Sequence, residues 1–176
     1  GSKVYKQASW LSTNAFSTVD TSTYTNYSVE TNIKLTQNDI DLAAGITARY
    51  LDPNNFYYFR IKAGKLQIGK SVNGTVTILT QKNYTMTTNE VYSFTAVLNN
   101  STLELYVNGF KELTVTDTSH TSGKIGLYAF KTSVEFDNVK VVHDRDFMPP
   151  TAPGNLRLLS KSETTADLSW DVASDN

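Results

Sequence analysis

Between Ala44 and Lys62, two runs rich in β-branched and aromatic residues flank Leu51-Asp52-Pro53-Asn54-Asn55, a string of turn formers, so this stretch folds as an antiparallel hairpin. Side chains alternate across a strand. In the first strand Ala44, Ile46, Ala48 and Tyr50 fall on one face, with Gly45, Thr47 and Arg49 on the other. In the second, Tyr57, Phe59 and Ile61 oppose Phe56, Tyr58, Arg60 and Lys62. If the apolar sets face a core, Arg49, Tyr58 and Arg60 share the opposite face, a flat patch of guanidinium and phenol suited to a polar, ring-shaped ligand.

The rest of the chain repeats the pattern. Tyr27 to Leu35 alternates cleanly, as expected for a strand with one wet face. Asn73-Gly74 and Asn108-Gly109 each separate two alternating runs, and both residues of such a pair tolerate the positive φ of a type I′ turn. Lys3 to Ser9 reads as a first strand and Trp10 to Tyr24 as a Ser/Thr/Asn-rich loop. Val91 to Leu98, Lys124 to Phe130 and Val134 to Val142 complete about ten or eleven short strands, with no convincing helix. The expected fold is all-β, a sandwich of two antiparallel sheets. At 176 residues there is room for one domain and part of another. The prolines of His143 to Pro153 mark a linker, and residues 154–176 hold two strand-like runs, too few to bury a core.

Composition removes several function classes. Without cysteine there is no disulfide, zinc finger or thiol chemistry. A formal net charge of −1 gives no electrostatic case for nucleic acid or an anionic membrane, and no apolar run approaches the roughly 18 residues of a membrane span. His120 and His143 have no partner at metal-ligand spacing, and no nucleophile-elbow sequence is present.

Four pieces in order, AGITARYLDPNNFYYFRI, LELYVNG, TSGKIGLYAF and VEFDNVKV, resemble a concanavalin-A-like, laminin-G-like jelly-roll module appended to bacterial polysaccharide lyases and glycoside hydrolases. The resemblance covers roughly Lys3 to Val142, and the expected sandwich domain is residues 1–142. Such modules begin with a further strand ahead of a segment like KVYKQAS, which implies a chain that starts inside the domain or has lost a preceding piece. Pro153-Gly154-Asn155-Leu156 and Thr165-Ala166-Asp167-Leu168-Ser169-Trp170 resemble the truncated start of a fibronectin type III domain, a spacer in secreted enzymes of this kind.

The resemblance implies a non-catalytic carbohydrate-binding module, secreted or on a bacterial cell surface, that holds an attached catalytic domain near its polysaccharide by raising effective concentration. The alternatives are a structural domain packed on that catalytic domain, or a glycan hydrolase of the same fold. Arg49, Tyr58 and Arg60, with Asn55, Tyr57 and Lys62, are the sugar-binding candidates, since aromatics stack on pyranose faces and Arg binds hydroxyls or carboxylates through a rigid fork. The plain alternative is that Tyr and Arg simply cover the wet side of a sheet. Glu135-Phe136-Asp137 resembles part of the Glu-x-Asp-x-x-Glu pattern of retaining glycosidases, which need two carboxylates roughly 5 Å apart, but Lys140 fills the third position. The resemblance assigns Asp137 instead to a structural calcium ion, which takes oxygen ligands; Asp39 and Asp41 are lesser candidates for the same cation.

Overall fold

The structure is a computed structural model that describes residues 5–7, 15–18, 23–37, 41–143 and 154–171. In chain order its strands are β1 (Tyr5–Gln7), β2 (Ala15–Thr18), β3 (Tyr27–Leu35), β4 (Ala43–Asp52), β5 (Asn55–Lys62), β6 (Lys65–Val72) and β7 (Thr75–Asn83). There follow β8 (Val91–Asn99), β9 (Thr102–Val107), β10 (Phe110–Thr116), β11 (Lys124–Phe130) and β12 (Val134–His143), then β13 (Arg157–Lys161) and β14 (Ala166–Ser169).

The chain divides into two compact units, Gly1–Arg145 and Asp146–Asn176. The first is the expected all-β sandwich. One sheet has the order β1-β12-β3-β8-β9-β10 and the other β2-β11-β4-β5-β6-β7, with every pairing antiparallel. Tyr27, Ile33, Phe94 and Leu105 from the first sheet meet Ile46, Phe59, Ile61 and Ile68 from the second in one buried core. The second unit is a two-stranded ladder of β13 and β14.

The turns follow from residue chemistry. Asn73 and Gly74 have φ of 50° and 80°, and Asn108 and Gly109 have 51° and 82°, so both Asn-Gly pairs carry the left-handed backbone a tight hairpin requires. In the β4–β5 turn the Asp52 carboxylate accepts the Asn54 N–H at 2.7 Å and the Asn55 side-chain amide at 3.0 Å.

Two features depart from the sequence reading. Ala15–Thr18, inside the expected loop, is a strand paired to β11. Its four residues are too short to show a period, and only the register of Phe16 to Tyr128 and Thr18 to Gly126 makes it one. In β4, Arg49 takes φ 43°, and the register slips there against both β5 and β11. This bulge reverses the alternation of everything beyond Ala48. The expected strand at Lys3 to Ser9 is seen at Tyr5–Gln7; the linker beyond His143, and Asp39, lie outside the described residues.

Candidate functional site

On the second sheet's outward face, cross-strand registers set the side chains in rows. One row runs Ile78, Gly69, Tyr58, Thr47, Gly126, Thr18; the next runs Gln81, Gln67, Arg60, Gly45, Tyr128, Phe16. The glycines leave room for their neighbours to lie flat. Tyr58 leans across Gly69 and donates its hydroxyl to the Thr77 carbonyl at 3.2 Å. The Arg60 guanidinium stacks on the Tyr58 ring, 3.9 Å from its centroid. Its Nε donates to Gln67 Oε1 at 3.0 Å and its Nη1 to the Tyr128 hydroxyl at 3.4 Å, while Gln67 donates in turn to Gln81 at 3.1 Å. Burial raises the pKa of the Tyr58 and Tyr128 phenols, Arg60 opposing it, so both stay neutral donors.

Three more aromatics share this face and join it through Tyr128. The Phe16 ring lies 5.5 Å from Tyr50, 5.3 Å from Phe56 and 5.4 Å from Tyr128, and Tyr50 stacks on Phe56 at 5.7 Å. The result is a fixed guanidinium and two amides bordered by ring faces, the two kinds of surface a saccharide needs.

Of the six residues expected to bind sugar, only Tyr58 and Arg60 come together there. They are packed rather than open, at 1% and 8% exposure, because each lies flat on its neighbour. Arg49, at 2%, points to the opposite face of the sheet at one end of the sandwich. There its fork donates to the carbonyls of Thr25 at 2.8 Å, His120 at 2.8 Å and Asn100 at 2.8 Å, and its own N–H donates to the Tyr27 hydroxyl. The expected shared face of Arg49, Tyr58 and Arg60 does not form, and the reason is the bulge at Arg49. Tyr57 faces the same inward network: its hydroxyl donates to Asp117 at 2.6 Å and accepts the His120 N–H at 3.1 Å. Asn55 is a turn residue, giving its amide to Asp52 and accepting the Asn73 N–H. The Lys62 ammonium lies 5.8 Å from the Phe130 ring centroid. Gln67, Gln81, Tyr128 and Phe16 were missed; only the Gly126–Tyr128 alternation within GKIGLYAF hinted at one of them.

The end network is electrostatically closed. Burial pushes the Asp117 carboxyl up, but hydrogen bonds from Lys70, Tyr57 and Ser119 overcome it and hold the carboxyl far below the ordinary carboxylate range. Burial and then the Asp117 bond push the Tyr57 phenol up to about 12. The buried His120 ring sits edge-on to Tyr57 and donates from Nε2 to the Ser71 carbonyl at 2.8 Å. The remaining depression at this end, about 550 Å³, is lined by Thr25, Asn26, Asn100, Ser101 and Thr118 around Arg49.

Carboxylates singled out in the sequence are occupied by local contacts. Glu135 pairs with Lys6 at 3.2 Å and Lys34 at 2.8 Å, which lowers its pKa. Asp137 sits at a bulge in β12 and accepts the Asn138 N–H at 2.7 Å, where Asn138 has φ 53°. Asp41 pairs with Lys131 at 2.9 Å. Among the described residues no three His, Cys, Asp or Glu side chains group together.

Fold comparisons agree with the sandwich. A carbohydrate-binding module, CBM66, from Bacillus subtilis superposes with a TM-score of 0.68 at 16% identity, over 78% of this chain and 94% of its own. The Caenorhabditis elegans galectin LEC-6 gives 0.56 at 15% identity, over 78% and 96%, and a Bacillus licheniformis beta-glucanase gives 0.56 at 17%, over 71% and 69%. At these identities the likeness establishes the concanavalin-A-like jelly-roll fold. No helix is long and apolar enough to cross a membrane among the described residues. No curated protein matches the chain. A family match covers residues 4–142, the whole of the sandwich, and by it this chain belongs to the 3-keto-alpha-glucoside-1,2-lyase-like domain family.

Proposed function

We propose that the sandwich is a non-catalytic carbohydrate-binding module whose ligand lies across the outward face of the second sheet. The observation that carries this reading is Arg60, stacked on Tyr58 and oriented by Gln67 and Tyr128, on the same face as the Phe16, Tyr50 and Phe56 rings. A guanidinium fixed by its own neighbours binds hydroxyls with little ordering cost, and aromatic faces take the C–H faces of pyranoses. The fold neighbours, a carbohydrate-binding module and a galectin, support the same class of ligand. The module would tether a catalytic domain of the same exported bacterial protein to its polysaccharide, and residues 154–176 would open a fibronectin type III spacer. A glycan array with the intact chain tests it. Retention on one class of glycan, lost in Arg60→Ala while circular dichroism shows the variant still folded, is the expected result; no retention on any glycan would refute it.

The family description favours a second reading, a lyase acting on 3-keto-alpha-glucosides. Release of a free sugar from such a glycoside by the purified chain would establish it. Against it stand Glu135 and Asp137, committed to lysines and to a backbone N–H. A structural calcium at Asp137 is a separate proposal: a chelator should lower the melting temperature and added calcium restore it, and Asp137→Ala should abolish that response.

A further inference from the structure

We propose that Phe16 is a displaceable plug in this saccharide site and that Thr47, beneath it, is a ligand-binding hydroxyl. The proposal rests on the glycan-binding reading above and adds a residue and a mode of access to it.

Thr47 is fully buried, and its hydroxyl alone among the buried side-chain polar atoms of the described residues lacks a hydrogen-bond partner. It is not part of the core. Its register partners Tyr58 and Gly126 put it on the outward face, and Oγ1 leans over Gly126, where an added Cβ would meet it at 2.7 Å and the Ser17 carbonyl at 2.9 Å. On one side of it the register places Gly45 and Tyr128, and beyond the β4 bulge on the other the Tyr50 and Phe56 rings stack on each other. Since the Phe16 ring meets Tyr50 and Phe56 as well as Tyr128 within 5.5 Å, it spans the row that holds Gly126 and Thr47, and the Thr18 methyl lies over Gly126 in the same row.

A buried hydroxyl without a partner is unfavourable in the free protein, and such groups are rare enough to need a reason. A second state in which the hydroxyl is used supplies one. The ring above it is suited to leave. β2 is a four-residue edge strand bonded only to β11, and Phe16 is only partly buried. A pyranose has nearly the footprint of a benzene ring, with an apolar C–H face for Tyr50 and Phe56 and a rim of hydroxyls for Thr47 Oγ1 and Arg60. The ligand class is therefore a neutral pyranose ring that takes the place of Phe16.

The test uses the full chain and titrates the methyl pyranosides of glucose, galactose, mannose and xylose by calorimetry. Phe16→Ala should bind at least one of them about fivefold or more tighter than the wild type. The double variant Phe16→Ala/Thr47→Val should lose that gain. Independently of any ligand, Thr47→Val alone should raise the melting temperature, because it replaces an unpartnered hydroxyl with an isosteric methyl. Weaker binding by Phe16→Ala than by the wild type would make Phe16 a stacking platform, overturning the plug while leaving glycan binding intact. Absence of binding by Phe16→Ala to every pyranoside would also overturn it. A lower melting temperature for Thr47→Val would show that the hydroxyl already has a partner, and would remove Thr47 from the site.

Discussion

Arg49 is the residue whose role is furthest from its sequence signature. As a cation with three backbone carbonyls around it, it does what a bound metal ion does elsewhere: it ties the segments at Thr25, Asn100 and His120 to the end of β4. Arg49→Met should cost about 3–5 kcal/mol in denaturant unfolding, because it strands those carbonyls in a buried site. Strict alternation assigned Arg49 to Tyr58's face, and no local signal marks its left-handed φ, which is imposed by the packing of β11. Arg60 was legible because β5 has no bulge. Asp117 was not legible at all, since its partners Tyr57, Lys70 and Ser119 converge only in the fold. Its depressed folded pKa has a definite sign. The stabilisation is complete above the ordinary carboxylate pKa near 4 and is lost as pH falls below it. Asp117→Asn should therefore be less stable at pH 7, and its stability should fall less than the wild type's between pH 5 and pH 2, measured as urea midpoints.

At the scale of elements, glycines separate turns that need only a backbone conformation from places where two strands touch. Gly109, in the β9–β10 hairpin, has φ 82° and open space where a Cβ would go. Gly109→Ala should cost about 1 kcal/mol, the strain of a left-handed alanine. Gly123 has φ 154° and lies against the Arg49 backbone, where a Cβ would meet the Arg49 carbonyl oxygen at 2.7 Å. Gly123→Ala must move the bulge, and a loss above about 3 kcal/mol is expected, since overpacking and backbone strain add. Equal costs at the two positions would mean that the β4–β11 contact is softer than its geometry. The Asn-Gly hairpins were readable because turn and strand chemistry agree over a few residues. β2 and the bulge were not, because both exist only through pairing with β11.

For the molecule as a whole, alternation, turn residues and the absence of helical periodicity were enough for the class of fold, since a chain of many short half-wet strands closes most simply as two sheets over one core. The core itself lies within the first unit, where strands distant in sequence, such as β3 with β12 and β2 with β11, are paired. The second unit is different in kind. Its ladder leaves Leu156 at 70%, Leu159 at 68% and Trp170 at 58% exposure, so folding it buries little apolar surface. Removal of residues 146–176 should therefore leave the melting temperature of the sandwich within about 2 °C, since less than roughly 0.5 kcal/mol of stability is at stake. In a Trp10→Phe background the emission of Trp170 should already be red-shifted in the native protein and should not change at the main transition. A cooperative blue-to-red shift of Trp170 at that transition would mean that its ring is buried in the folded chain, against the exposure of Trp170 in the ladder.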